Sequence, residues 1–283
     1  MRASRVLTFA RYEMRRAVAR KKVLALVALT VLIAIAPYYL LTVFHSTSSL
    51  ITPPLRPYLW IIGVFLPQAF FVQFTALLIA AGSMSEEYES GTAEVLLSKP
   101  VSRAEYFFGK YLGGYALLVG ILTLDVILSL TSATASFGPQ EELGILPMIF
   151  VAQVFAASVF YSVAFMVGEL MRRSSLSYIL SASVFFTSGI IGVVLDVLYE
   201  LTGSGMYKTV NLFLPTTPVD SLPLLLAEPR FPSAVLPLFR AGLATPVETS
   251  VLGSVLLIAV YSGAAIVVAL AYFSRMDVAK RVT

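Results

Sequence analysis

The 283-residue chain contains no cysteine, one histidine and one tryptophan, and only 13% of its residues are charged. Without cysteine there is no disulfide framework, no thiolate metal site and no cysteine nucleophile. The single histidine, His45, closes a long apolar run, where it reads as a solvated interfacial side chain rather than a catalyst or ligand; no Ser–His dyad can be built inside the apolar segments. A phosphate-cradling loop of the form GxxxxGK[ST] is missing too. The one Gly-Lys pair, Gly109-Lys110, has no glycine at the required distance before it and is followed by Tyr111. The chain is therefore expected to bind no nucleotide, metal or other cofactor of its own.

What is present is apolar sequence. Hydrophobic residues make up 58% of the chain and the mean hydropathy is +0.86, whereas soluble domains carry about 25% charged residues. A helix crosses the bilayer core in about 20 apolar residues. Six such runs are found, at about 23–44, 59–82, 106–130, 146–168, 178–199 and 251–272. None alternates as a barrel strand does, so the expected fold is an all-α membrane protein with six transmembrane helices, residues 1–283 forming one transmembrane domain.

Orientation follows from Lys and Arg. All but four of the twenty (Arg56, Lys208, Arg230 and Arg240) fall on the side that holds both termini. The positive-inside rule makes that side cytoplasmic, and a cell membrane is the expected host. The N-terminal basic region, about twenty residues followed by a long apolar run without a small-residue cleavage site, is not expected to be a cleavable signal. Residues 1–22 instead read as an amphipathic helix. Ala3, Val6, Leu7, Ala10, Met14, Ala17 and Val18 share one stripe, opposite Arg5, Arg15, Arg16, Arg20 and Lys21. Such a helix is expected to lie in the inner membrane interface, as an anchor for the first span or as a lever to a cytosolic partner; each cation near anionic headgroups contributes about 1 kcal/mol.

The densest acidic stretch, EEYESGTAEVLLSKPVSR at 86–103, lies between spans two and three on the cytoplasmic side. Ser83-Met84-Ser85-Glu86 and Ser102-Arg103-Ala104-Glu105 both fit the capping box. They predict a short helix near Glu86–Ser90 broken at Gly91, a second turn over Thr92–Leu97 stopped by Ser98-Lys99-Pro100, and a restart at Ser102. The result is a helical elbow with an acidic face and an apolar tip of Val95, Leu96 and Leu97. Anionic lipid would repel it; a protein with a basic, partly apolar groove would fit it.

The run Glu87-x-Glu89-x-Gly91-Thr92-x-Glu94-x-Leu96-Leu97-Ser98-Lys99-Pro100-Val101-Ser102-Arg103-x-Glu105, then Gly109-Lys110, resembles the hallmark segment of the ABC-2 type permeases, membrane subunits of ATP-binding cassette exporters. The resemblance extends over the chain: an N-terminal interfacial helix, this segment at 84–103, a long outer loop at 200–250 before span six, and the charged exit Phe273-Ser274-Arg275-Met276-Asp277-Val278. It implies a cytoplasmic coupling helix that docks into a separate ATPase, with Glu86, Glu87, Glu89, Gly91, Thr92 and Glu94 in contact and Leu96 and Leu97 in support. It also implies two ATPase copies that bind the ATP and Mg, and a second permease subunit, identical or related; nucleic acid is not an expected partner. The outer loop departs from a tidy match because it holds seven of the fifteen prolines. A re-entrant helix near Leu222–Ala227 and a partly extended cap are both compatible with it.

Polar residues inside the spans are the candidate pathway: Gln68 and Gln73 beside Pro67, Asp125, Gln153 and Asp196. A carboxylate at a helix centre costs about 2.5–3.5 kcal/mol on insertion scales. Asp125 and Asp196 lie at similar depth near the outer ends of spans three and five, where they either share a cavity or reach the interface. The glutamines either bond between helices or line a path. A scaffold that passes ATPase motion to an outer-face protein fits the same residues as an exporter. A gradient-driven carrier would need inverted repeats and mid-membrane carboxylates, and neither is seen.

Overall fold

The computed structural model describes residues 3–18, 21–43, 53–98, 101–233, 235 and 249–275. His45, the Lys99-Pro100 stop, residues 236–248 and the exit after Arg275 lie outside these residues. Among the described residues every regular element is helical. The elements are α1 (Ala3–Val18), α2 (Lys21–Val43), α3 (Trp60–Pro67), α4 (Gln73–Ser90), α5 (Thr92–Leu97), α6 (Arg103–Phe137), α7 (Leu146–Met171), α8 (Ser174–Thr202), α9 (Gly205–Leu212), α10 (Thr216–Ala227) and α11 (Val251–Arg275). A π turn, Gln68–Val72, joins α3 to α4, so Trp60–Ser90 runs as a single span.

Among the described residues, six helical segments are long and apolar enough to cross a membrane: Lys21–Val43, Trp60–Ser90, Arg103–Phe137, Leu143–Met171, Ser174–Thr202 and Val251–Arg275. They coincide with the six expected runs and extend past them at most ends, because polar residues at the ends continue the helix outside the apolar core. The span through α4 is the most enclosed, packed chiefly on α7. α8 and α11 turn most of their surface outward and expose Ile190, Val193, Leu252 and Val267, the pattern of helices meeting lipid or another membrane subunit.

The irregular backbone around Pro67 has a local cause and a local repair. Proline lacks an N–H, so Gly63 O loses its usual partner four residues on; Ser129 Oγ on α6 donates to it at 3.2 Å. The next N–H, that of Gln68, turns to Phe65 O. Gln153 Nε2 on α7 donates to Val64 O at 2.7 Å. Two polar side chains on neighbouring helices thus hold the irregular backbone where no water reaches.

The Pro-rich segment after α8 is largely helical in its described part. Gly203, at φ 68, ends α8 in the left-handed conformation that glycine adopts freely. α9 and α10 then meet at about a right angle, 90°, as a broken span or re-entrant pair. Pro218 and Pro223 sit within α10, with Pro218 in its first turn, where no intrahelical N–H is needed. α10 buries Val219, Leu222 and Leu224 against the bundle.

Candidate functional site

The acidic stretch is built on a helix that does not stop where expected. α4 runs unbroken to Ser90, so the backbone donors near Ser83 are already used within the helix and no capping box forms there. Ser85 Oγ donates to Ala81 O at 2.7 Å. The second box is present: Ser102 Oγ accepts from Glu105 N and Glu105 Oε2 from Ser102 N, both at 3.2 Å.

Continuity of α4 decides where its carboxylates point. Ala76, Ala80, Met84 and Glu87 fall on one inward face at helical spacing, and Glu87 is 0% exposed. The resemblance implies that Glu87 contacts a partner; in the structure it accepts from Arg16 on α1 and from Lys110 (Nζ at 2.9 Å) and Tyr106 on α6. Lys110 Nζ also meets Glu13 Oε2 at 2.5 Å. Two carboxylates and two cations share one buried site, so the charges cancel.

The other acids of the stretch are held as well. Glu86 accepts from Lys22 on α2 and from Tyr178 OH on α8 (2.7 Å). Glu89 Oε1 accepts from Ser174 N at 2.9 Å, placing a carboxylate on a free donor at the start of α8, where the helix dipole favours it. Tyr88 OH donates to Glu169 on α7 at 2.7 Å, and the Arg172 guanidinium lies 4.9 Å from the Tyr88 ring centre. The last turns of α4 are therefore tied to α1, α2, α6, α7 and α8. Arg103 carries the connection to α11 by donating to Phe273 O at 2.9 Å.

Beyond Ser90 the chain turns at Gly91, whose φ of 70 is the left-handed conformation expected of a break there. α5 follows over Thr92–Leu97 as the sequence predicts. Its tip differs from the expectation. Val95 is 63% exposed and Glu94 is exposed, but Leu96 and Leu97 pack back on the core and Ala93 is buried. Gly91 and Thr92 are half-buried. The surface offered outward is thus Glu89, Ser90, Glu94, Val95 and Ser98.

α1 also differs from a helix that merely floats in the interface. It packs along α6, burying Val6, Ala10, Glu13 and Ala17 while Leu7 and Val18 stay exposed. Gly109 and Gly113 allow the close approach: a Cβ on Gly113 would lie 2.6 Å from Ala10 O. Of the expected outward cations, Arg16 pairs with Glu87, and Arg5 lies 3.8 Å from Glu105. Glu13 and Lys110 were missed at the sequence level, although each was visible as a lone charge on an otherwise apolar face. Such a charge requires a partner.

Comparison with protein families supplies the frame for this elbow. The family described as ABC-2 family transporter protein matches residues 7–278, nearly the whole chain. The chain belongs to the ABC-2 transporter family. Comparison with curated proteins gives no match. Membership makes the chain a multi-pass membrane permease subunit of an ATP-binding cassette transporter, a non-enzymatic subunit whose family works with an ABC ATPase.

Within the permease the polar membrane residues do not converge. Gln153 bonds between helices, and Gln73 Nε2 reaches Gln68 O at 3.3 Å on its own segment. The Gln68 side chain is buried with neither amide atom hydrogen-bonded. Asp125 is buried on α6, near Tyr38 and Ser129. Asp196 instead lines a cavity of about 440 Å³ with Ala69, Phe70, Phe185, Asn211 and Asp220. Asp125 is not among the lining residues, so the two aspartates occupy separate sites.

Proposed function

We propose that the permease is the membrane half of an exporter driven by a separate ATPase that docks on α5 and the exposed end of α4. One observation carries this reading: an exposed elbow, Glu89–Ser98, sits directly on a helix end that is tied by side chains to five other helices. A push on α5 would reach the bundle through Glu86, Glu87 and Glu89 without a flexible linker between. Contact with the ATPase is made by Glu89, Glu94 and Val95. Glu87 transmits rather than docks. The Lys and Arg asymmetry supports cytoplasmic termini and places α5 on the cytoplasmic side of the cell membrane. Two permease chains and two ATPase chains complete the transporter; ATP and Mg belong to the ATPase.

Co-purification tests the docking surface. Glu94→Lys/Val95→Asp leaves the buried charge cluster intact and places charge where a basic, apolar groove would bind. The expected outcome is at least a tenfold loss of ATPase affinity, about 1.4 kcal/mol, with normal membrane insertion. Retention of the ATPase at wild-type affinity would sink the reading.

A further inference from the structure

We propose that the cavity between the π turn, α8 and α10 binds an amphiphilic organic cation, which makes such a molecule the substrate class of the transporter. The inference rests on the permease reading for its role in export, but the binding itself does not.

The cavity's volume, about 440 Å³, suits a single drug-sized guest. Its walls are chiefly aromatic and aliphatic: Phe70, Phe185, Phe186 and Ile190 supply rings and branched chains, and glycines at 189 and 192 leave room between them. The charged groups on this lining are two carboxylates, Asp196 and Asp220. Asp196 is positioned by Asn211, whose Nδ2 donates to Oδ1 at 2.6 Å. Asn211 is in turn held by Thr217 Oγ1, which donates to its Oδ1 at 2.9 Å. Asp220 differs in having a buried Oδ1 that no hydrogen bond satisfies. A carboxylate oxygen in an apolar site without a donor is costly, and a guest cation offsets that cost.

The remaining chemistry narrows the guest. Phenyl faces attract a cation and repel an anion. Like charge excludes phosphates and carboxylates, and the few hydroxyl and amide groups would leave a sugar largely unsatisfied. Around the mouth, Phe186 and Ile190 are 43% and 63% exposed on the outward surface of a membrane helix, so entry from the lipid phase is open. An apolar cation that partitions into the bilayer fits both the walls and the entrance.

Tetraphenylphosphonium and tetraphenylborate have nearly the same shape and opposite charge. Equilibrium binding of each to the full-length permease in phosphatidylcholine nanodiscs, corrected with empty discs, separates charge from greasiness. Saturable binding of the phosphonium and none of the borate is expected. Asp220→Asn should weaken the phosphonium at least about tenfold while the variant elutes as a single species. Gly189→Leu tests the location by a different route, since a Cβ there meets nothing within 4 Å and the added chain fills the cavity. It should weaken the phosphonium without disturbing the fold. Equal binding of borate, no saturable phosphonium binding, or full affinity in Asp220→Asn would each overturn the proposal. ATPase co-purification is scored separately, so loss of that partner refutes the exporter reading and leaves this result standing.

Discussion

Lys110 shows how much a single side chain can decide. It is 1% exposed, seven residues into a membrane helix, and meets both Glu13 and Glu87. Removing one member of a buried set leaves an uncompensated charge, which costs about 3–5 kcal/mol. Lys110→Met should therefore lower the thermal unfolding midpoint in detergent markedly. Arg5→Ala removes a half-exposed cation at 3.8 Å from its carboxylate and should cost less than about 1 kcal/mol. Equal midpoints for the two variants would show that the cluster is not a buried unit. The same logic changes the meaning of Glu87→Lys. That substitution puts a third cation beside Arg16 and Lys110, so it tests the internal cluster rather than docking. At this scale the sequence offered a clue it did not resolve: Glu13 interrupts an apolar stripe, yet nothing local says that its partner lies 97 residues away.

Helix packing turns those residues into a mechanical part. α1 lies on α6 because Gly109 and Gly113, one turn apart, present backbone where side chains would collide. Gly113→Leu should lift α1 from α6 and expose it to limited proteolysis in membranes, while the six spans still insert. Protection equal to the wild type would refute the close contact. The irregular backbone at Pro67 predicts a smaller effect. Gln153→Leu deprives Val64 O of its donor from α7, and interhelical hydrogen bonds of this kind contribute about 0.6 kcal/mol on average within membranes. A shift in unfolding beyond about 2 kcal/mol would mean that Gln153 does more than satisfy this carbonyl. Element positions were largely legible: the restart at Ser102, the break at Gly91 and the turn over Thr92–Leu97 each follow from local backbone chemistry. The Ser83 box does not form, because a capping sequence is neutral within a helix that tertiary packing keeps going.

The whole molecule has two ends with different work: a charged end where α4 ties the bundle together, and a far end where α9 and α10 fold back over an apolar cavity. The absence of cysteine makes sidedness directly testable. Single cysteines replacing Ser98 and Gly203 should react with an impermeant maleimide from opposite sides of sealed vesicles, Ser98 from the cytoplasmic face. Labelling of both from one side would break the six-span topology. Composition and run length alone determined the six spans and the class, because bilayer thickness imposes a length on every apolar run; the resemblance to the family was legible because the hallmark elbow is contiguous in the chain. Only the tertiary structure decided which carboxylates face outward and which face inward, that Asp125 and Asp196 stand apart, and that the described part of the proline-rich segment is largely helical. Those outcomes depend on pairings between residues tens of positions apart. In an apolar interior an unpaired charge costs more than any local preference, so packing, not propensity, has the last word there.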